Sequence, residues 1–362
     1  MVIWFYRVVM QCGRRSRCIG LLTLMVLATS TQAQRLEATF GVLPIVGSQT
    51  YVGDQLGLTG FWQSAPLADA YVAEVRFLSS VNDHQRLTLS GRMPGTVVGK
   101  RDYFEGSLYL SQFANEFFGY QAADVPAGER YDDETVELSL GWSYPLSPQW
   151  RAGVEGVAVW AEIDFADAAS PLRTDDVRWT EGGRALALDL SLARDTRNQP
   201  YWPSRGTYGR SVLRLGLDDT GALFFRQVSS VAVYTLLPAD VVLALAVQMQ
   251  SASANTPFIY MPTLARDDWM RGVTTGRYRH RSSFATQVEA RLPLNPRVAA
   301  AVFVQGGQMA AQPRSWWDEH WVQGGGVGLR YAVSDQRRQN IRLDMGWVNG
   351  QPGMVVNFGE AF

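Results

Sequence analysis

Arginine is the chemistry-bearing residue type that clusters in this chain. Arg266, Arg271, Arg277, Arg279 and Arg281 fall between positions 266 and 281, with His280 among them. A guanidinium stays protonated at physiological pH, so it is no proton shuttle; its planar fork instead grips carboxylates or phosphates bidentately. Positive neighbours depress the pKa of a histidine such as His280. Covalent hydrolysis would need a serine or similar nucleophile with a histidine base. The chain has three histidines, His84, His280 and His320, and no serine–histidine–acid arrangement can be read from their spacing. No His/Asp group has metal-ligand spacing, and no cofactor is implied. The expected chemistry of the stretch is therefore charge pairing; an outer-membrane lipase or deacylase is the weaker alternative.

The arginines need an element to position them. Residues 267–281 have no apolar period that would make a helix or a strand, and they lie between two strongly alternating segments, 240–250 and 283–293. A long, cationic, glycine-punctuated loop between strands is either a solvated surface loop or one folded into a polar cavity. The flanking architecture decides which.

That architecture has a period of two. Leu186, Leu188, Leu190 and Leu192 alternate with Ala187, Asp189, Ser191 and Ala193, and Ile341, Leu343, Met345 and Trp347 alternate with Arg342, Asp344 and Gly346. Alternate side chains of a strand point to opposite faces, so one face is apolar and the other polar or small. The polar face carries charges in mid-strand: Glu74, Arg76, Asp189, Arg214, Glu289, Arg291, Arg342 and Asp344. Short connections (145–149, 237–240, 294–297, 334–338) alternate with long ones (114–133, 165–182, 252–282, 308–321). Short turns at one end and long loops at the other describe an all-β, transmembrane antiparallel β-barrel. The segmentation gives about 16 strands, with 14 also compatible, over 34–362. Tyr201 and Trp202, like Trp142, Tyr144 and Trp150, are expected in an interfacial aromatic belt.

Residues 1–33 read as a secretory signal peptide. Arg7, Arg14, Arg15 and Arg17 precede an apolar run, then Thr31-Gln32-Ala33. Both cysteines, Cys12 and Cys18, lie in this leader. Removing its four arginines from the 33 basic residues leaves 29 against 34 acidic ones, a net of −5, which is no nucleic-acid balance. Expected partners are outer-membrane lipids and lipopolysaccharide, the barrel-assembly machinery during biogenesis, and an unknown protein client or partner. The exported barrel is assigned to a bacterial outer membrane.

Several motifs together resemble the barrel of the BamA/TamA superfamily, the bacterial surface-antigen family. Asp195-Thr196-Arg197 followed by Trp202-Pro203-Ser204-Arg205-Gly206 is similar to that family's Asp-x-Arg…Phe-Pro-x-x-Gly strand–turn–strand signature. Met270-Arg271-Gly272-Val273 is similar to its Val-Arg-Gly-Phe/Tyr loop motif, with Val273 where an aromatic is usual. Gly324-Gly325-Gly326-Val327-Gly328 and the terminal Gly359-Glu360-Ala361-Phe362 complete the set. The resemblance implies that the loop at about 252–282 folds into the lumen and that Arg271 meets acids on the inner wall. By strand parity, Glu289 and Asp344 project inward and are the candidate partners, while Gly272 lets the backbone approach closely. The family usually has Phe-x-Asp-x-Gly where this chain reads Phe303-Val304-Gln305-Gly306-Gly307. Phe358 and Phe362, in register with Val356 and Met354, are read as a C-terminal assembly signal. The first expected strand begins so near Ala33 that no client-capturing POTRA domain is expected before it. The implied function is a pore, or a component of protein or lipid assembly or translocation; the alternative is a passive structural or surface-binding barrel, with the loop carrying Trp316 and Trp321 as a binding surface.

Overall fold

The protein, seen in a computed structural model, is described for residues 39–49, 53–64, 71–95, 102–120, 128–166, 177–264, 269–273, 276–316, 321–332 and 340–362. The leader expected over 1–33, and His320, lie outside the described residues. Among the described residues sixteen strands follow one another: β1 Thr39–Gln49, β2 Gly53–Gln63, β3 Val72–Ser80, β4 Gln85–Pro94, β5 Tyr103–Phe117, β6 Glu129–Pro145, β7 Trp150–Phe165 and β8 Gly182–Asp195. The second half comprises β9 Gly206–Asp218, β10 Leu223–Leu236, β11 Val242–Ala252, β12 Ser282–Pro293, β13 Val298–Ala310, β14 Val322–Ala332, β15 Asn340–Val348 and β16 Gln351–Phe358. They form a single sheet in sequence order, β1 to β16. The fold is an antiparallel transmembrane β-barrel.

Strand parity sets its two faces. On β8, Leu186, Leu188, Leu190 and Leu192 are exposed, at 42–70%. Such a continuous apolar outer surface is incompatible with water and suits the hydrocarbon of a bilayer. Among the described residues no helix is long and apolar enough to cross a membrane; the strands do so. The inner face changes character around the barrel. On β3 to β9 it carries half-buried polar groups such as Glu74, Glu105 and Glu155. On β10 to β13 it combines small residues, with Ala232, Ala244, Ala246, Ala285, Ala299 and Ala301 all buried, with the large polar groups Gln287, Glu289, Arg291 and Gln305. Those alanines leave room for something to pack inside, and the loop between β11 and β12 does.

Two expectations differ from what is found. The last strand does not continue to Phe362. It ends at Phe358, and Gly359 turns with φ +82°, a left-handed conformation that glycine adopts without a Cβ clash. Glu360 then meets Arg330 Nε at 3.0 Å and Asn340 Nδ2 at 2.7 Å on the inner face. A carboxylate with polar and charged partners inside the barrel outweighs continuing the strand pairing to Phe362. Phe362 accordingly stacks on Tyr234 and on Trp269 of the loop, with ring centroids 6.5 and 6.4 Å apart. Likewise, Tyr201 and Trp202 leave the expected interfacial belt and turn inward, because their ring and hydroxyl find partners there.

Candidate functional site

The site is built by the loop that enters the barrel between β11 and β12. Its early part is apolar. Phe258 is fully buried against Phe117, Tyr131 and Phe165, with ring centroids 5.3–5.8 Å apart. Tyr260 donates its hydroxyl hydrogen to Glu137 Oε2 at 2.6 Å, and its ring lies under the Arg214 guanidinium at 4.8 Å. Leu264, Trp269, Met270 and Tyr278 then pack on the alanine-lined wall. The loop thus touches β5 to β7 on one side and β10 to β13 on the other.

Two of the loop's arginines, Arg277 and Arg279, meet aromatic rings inside, and Arg266 lies outside the described residues. Arg279 lies over Phe117 and Phe258 at 5.7 and 5.3 Å, and Arg277 over Phe118 at 5.3 Å. His280 stacks on Tyr120 at 5.7 Å. Cation–π contact with an aromatic face supplies the electrostatic attraction that water would otherwise give. Sequence reasoning missed these partners, because β5 is longer than its alternation indicated and carries Phe117 and Phe118 up to meet the loop.

Arg271 is the innermost of them, 1% exposed. Its Nη1 donates to Glu289 Oε2 at 2.6 Å and to Asp344 Oδ2 at 3.1 Å, and its Nη2 to Gln287 Oε1 at 3.1 Å. The guanidinium carbon stands 3.4 Å from the centroid of the Phe303 ring. Glu289 also accepts from Arg291 Nε at 2.7 Å and Arg330 Nη2 at 3.1 Å, and Asp344 from Arg330 Nη1 and Arg342 Nη1. The side chains of Arg271, Arg291, Arg342, Glu289 and Asp344 are entirely inaccessible. Four arginines thus share three acids, Glu289, Asp344 and Glu360. Burying a charge is tolerable only with such dense pairing.

The backbone at Arg271 is clamped too. Gln305 Oε1 accepts from Arg271 N at 3.0 Å, and Gln305 Nε2 donates to Arg271 O at 2.7 Å. An aspartate at this place could accept but not donate, so the amide does something a carboxylate cannot. Replacing Gln305 by leucine should leave a buried N–H and a buried carbonyl without these partners, at about 1–3 kcal/mol for each group. The expected outcome is a lower transition temperature for the heat-modifiable band in detergent, with the β-rich circular dichroism spectrum retained.

Gly272 is the remaining contact. Its φ is +93°, and a Cβ there would lie 2.7 Å from Gly346 O. A Cβ on Gly346 would overlap the Arg271 carbonyl, and one on Gly353 would stand 2.5 Å from Gly272 O. Gly346 and Gly353 face each other across β15 and β16. The loop tip therefore lies backbone-to-backbone on a glycine pair in the wall, a pair the sequence analysis did not single out. Its only trace there was that both positions share a parity with Asp344 or its cross-strand neighbours.

The other candidate residues lie apart, at the β8–β9 turn. Arg197 forks onto Asp195 with contacts of 2.9 and 2.7 Å. Pro203 and Gly206 belong to the same turn, where Asn198 Oδ1 accepts from Ser204 N and Arg205 N. Phe358 ends β16, paired with Ile341.

This geometry can be set beside known proteins. The Omp85 superfamily domain matches residues 71–359. No curated protein matches the chain. Among solved structures it is similar to BamA from Haemophilus ducreyi lacking POTRA domains 1–3, at 12% identity and a TM-score of 0.59, covering 91% of this chain and 72% of that one. It is also similar to CdiB from Acinetobacter baumannii, at 14% identity and a TM-score of 0.54, covering 90% of this chain and 59% of that one. At these identities the likeness concerns the fold. The domain match, spanning most of the sequence and all the strands from β3 to β16, shows that the chain belongs to the Omp85 superfamily.

Proposed function

We propose that this protein is an outer-membrane barrel acting in protein assembly or translocation, with a lumen plugged by the β11–β12 loop and locked through Arg271. The observation that carries the reading is the fully buried Arg271, held by Glu289, Asp344 and Gln305 on three different strands. A loop that only covered a pore would not need four guanidiniums in a dry wall. Superfamily membership supports a role in moving or inserting proteins rather than in lipid hydrolysis. The expected surroundings are outer-membrane lipid and lipopolysaccharide against the apolar exterior, the barrel-assembly machinery reading the segment that ends at Phe358 and Phe362 during biogenesis, and a protein client or partner. The motif of Asp195, Arg197, Pro203 and Gly206 would serve as a rigid turn. Export would use residues 1–33 as a signal peptide.

The test is chemical cross-linking in outer membranes followed by capture of the protein. Recovery of assembly factors or of secreted or membrane-inserted clients is the expected result, and it should weaken when Arg271 is replaced. Recovery of lipopolysaccharide alone would favour a passive surface barrel. A pore reading is favoured by the half-buried polar wall of β3 to β7. It expects small, intermittent conductance in planar bilayers that rises when 267–281 is deleted.

A further inference from the structure

The β8–β9 turn, 196–205, reaches into the mouth of the barrel opposite the long loops. The Tyr201 hydroxyl donates to Gln63 Oε1 at 3.2 Å, at the end of β2. Trp202 is 5% exposed, and the Arg291 guanidinium of β12 lies 5.5 Å from its ring centroid. β2 and β12 are ten strands apart in the sheet order, so one short turn touches widely separated parts of the wall. The turn is stiff enough to span that distance. Arg197 is forked onto Asp195, and Asn198 binds Ser204 N, Arg205 N and Ser204 Oγ at 2.9–3.1 Å. A cavity adjoins it on each side. One, about 360 Å³, is lined by Asn198, Trp202, Ser204 and Asp240; the other, about 400 Å³, by Tyr201, Glu74, Arg92, Glu105 and Glu155. Residues of the turn thus line two separate cavities, one with mixed apolar and polar walls and one bearing the carboxylates Glu74, Glu105 and Glu155.

We propose that this turn is a strap closing the inner mouth of the lumen, in series with the outer loop and wired to it. The connection runs through β12: Arg271 Nη1 to Glu289 Oε2 at 2.6 Å, Glu289 Oε1 to Arg291 Nε at 2.7 Å, and Arg291 to the Trp202 ring. Glu289 and Arg291 are two residues apart on one strand face, so the loop lock and the strap bear on the same pair of side chains. The strap is a barrier to small ions and polar solutes. It is independent of which client the barrel serves, so it can fail without affecting the assembly reading.

The experiment uses the full chain in planar bilayers with potassium chloride as the probe. Gln63→Cys and Tyr201→Cys are introduced together with Arg271→Ala, which loosens the outer closure, and with Cys12 and Cys18 replaced by serine. The two native side chains meet only at their tips, too far for a direct disulfide, so a cleavable bis-maleimide is expected to join the thiols, seen as a gel shift, and to lower conductance; cleavage of the linker should restore it. Tyr201→Ala with Trp202→Ala, in the same Arg271→Ala background, should raise conductance above that of Arg271→Ala alone. Failure of the cross-link to form would overturn the placement of the turn across the mouth. A cross-link that forms without changing conductance, or an alanine pair that changes nothing, would overturn its role as a barrier.

Discussion

Replacing Glu289 by alanine is expected to prevent the barrel from reaching its heat-modifiable form, whereas Arg271→Ala should fold. The two residues share a 2.6 Å ion pair, yet their removal is not equivalent. Glu289 serves Arg271, Arg291 and Arg330 at once. Without it, four buried arginines face only Asp344 and Glu360. Breaking a buried pair by deleting one partner costs about 3–5 kcal/mol, and here three guanidiniums lose a partner together. Deleting Arg271 instead leaves three arginines facing three acids. Glu289 keeps Arg291 and Arg330, and Asp344 keeps Arg330 and Arg342. The wall should then hold while the loop loses its anchor. Semi-native gels of the two variants, with and without boiling, separate these outcomes. Equal folding yields would show that the network tolerates an uncompensated charge and that the lock is not electrostatic.

The second large effect is expected at glycines. Gly346→Val places a side chain where the Arg271 carbonyl lies, and Gly353→Val does so against Gly272. Valine has a higher strand propensity than glycine, so β15 and β16 should pair at least as well as before. The loop tip alone is evicted. Gln305 and Phe303 then lose their contacts to Arg271 although neither has been altered. The expected phenotype is a folded barrel whose loop is cleaved by protease at 267–281 when the native protein is not. Cleavage resistance equal to the parent would mean that the tip does not rest on this glycine pair.

Much of the framework was readable from alternation. Leucines 186–192 against Asp189 reveal a two-faced strand, and repetition of that pattern between short turns and long loops yields sixteen strands in one membrane barrel. Parity also put Glu289 and Asp344 on the inner face, where Arg271 is found within 3.1 Å of both. What alternation cannot convey is contact between distant segments. Gly346 and Gly353 look like weak points in two strands until the loop tip is laid across them. Gln305 looks like a lost charge until its amide is seen bonded to both sides of one peptide unit. Phe362 extends the apolar register of β16 in sequence, yet Gly359 breaks that register and Glu360 draws the end of the chain inward. Arg277 and Arg279 had no partners assigned because Phe118 and Phe117 lie more than 150 residues earlier.

The tip of the β11–β12 loop is docked against the inner wall. The most direct measurement is thiol accessibility of Met270→Cys, beside Arg271, with Cys12 and Cys18 replaced by serine. Met270 is 2% exposed, whereas Asp219 lies in an exposed turn between β9 and β10. With a bulky maleimide, Asp219→Cys should label in the native protein, and Met270→Cys should label only after heat denaturation or when Gly346→Val is also present. Native labelling of Met270→Cys at the rate of Asp219→Cys would contradict the docked loop.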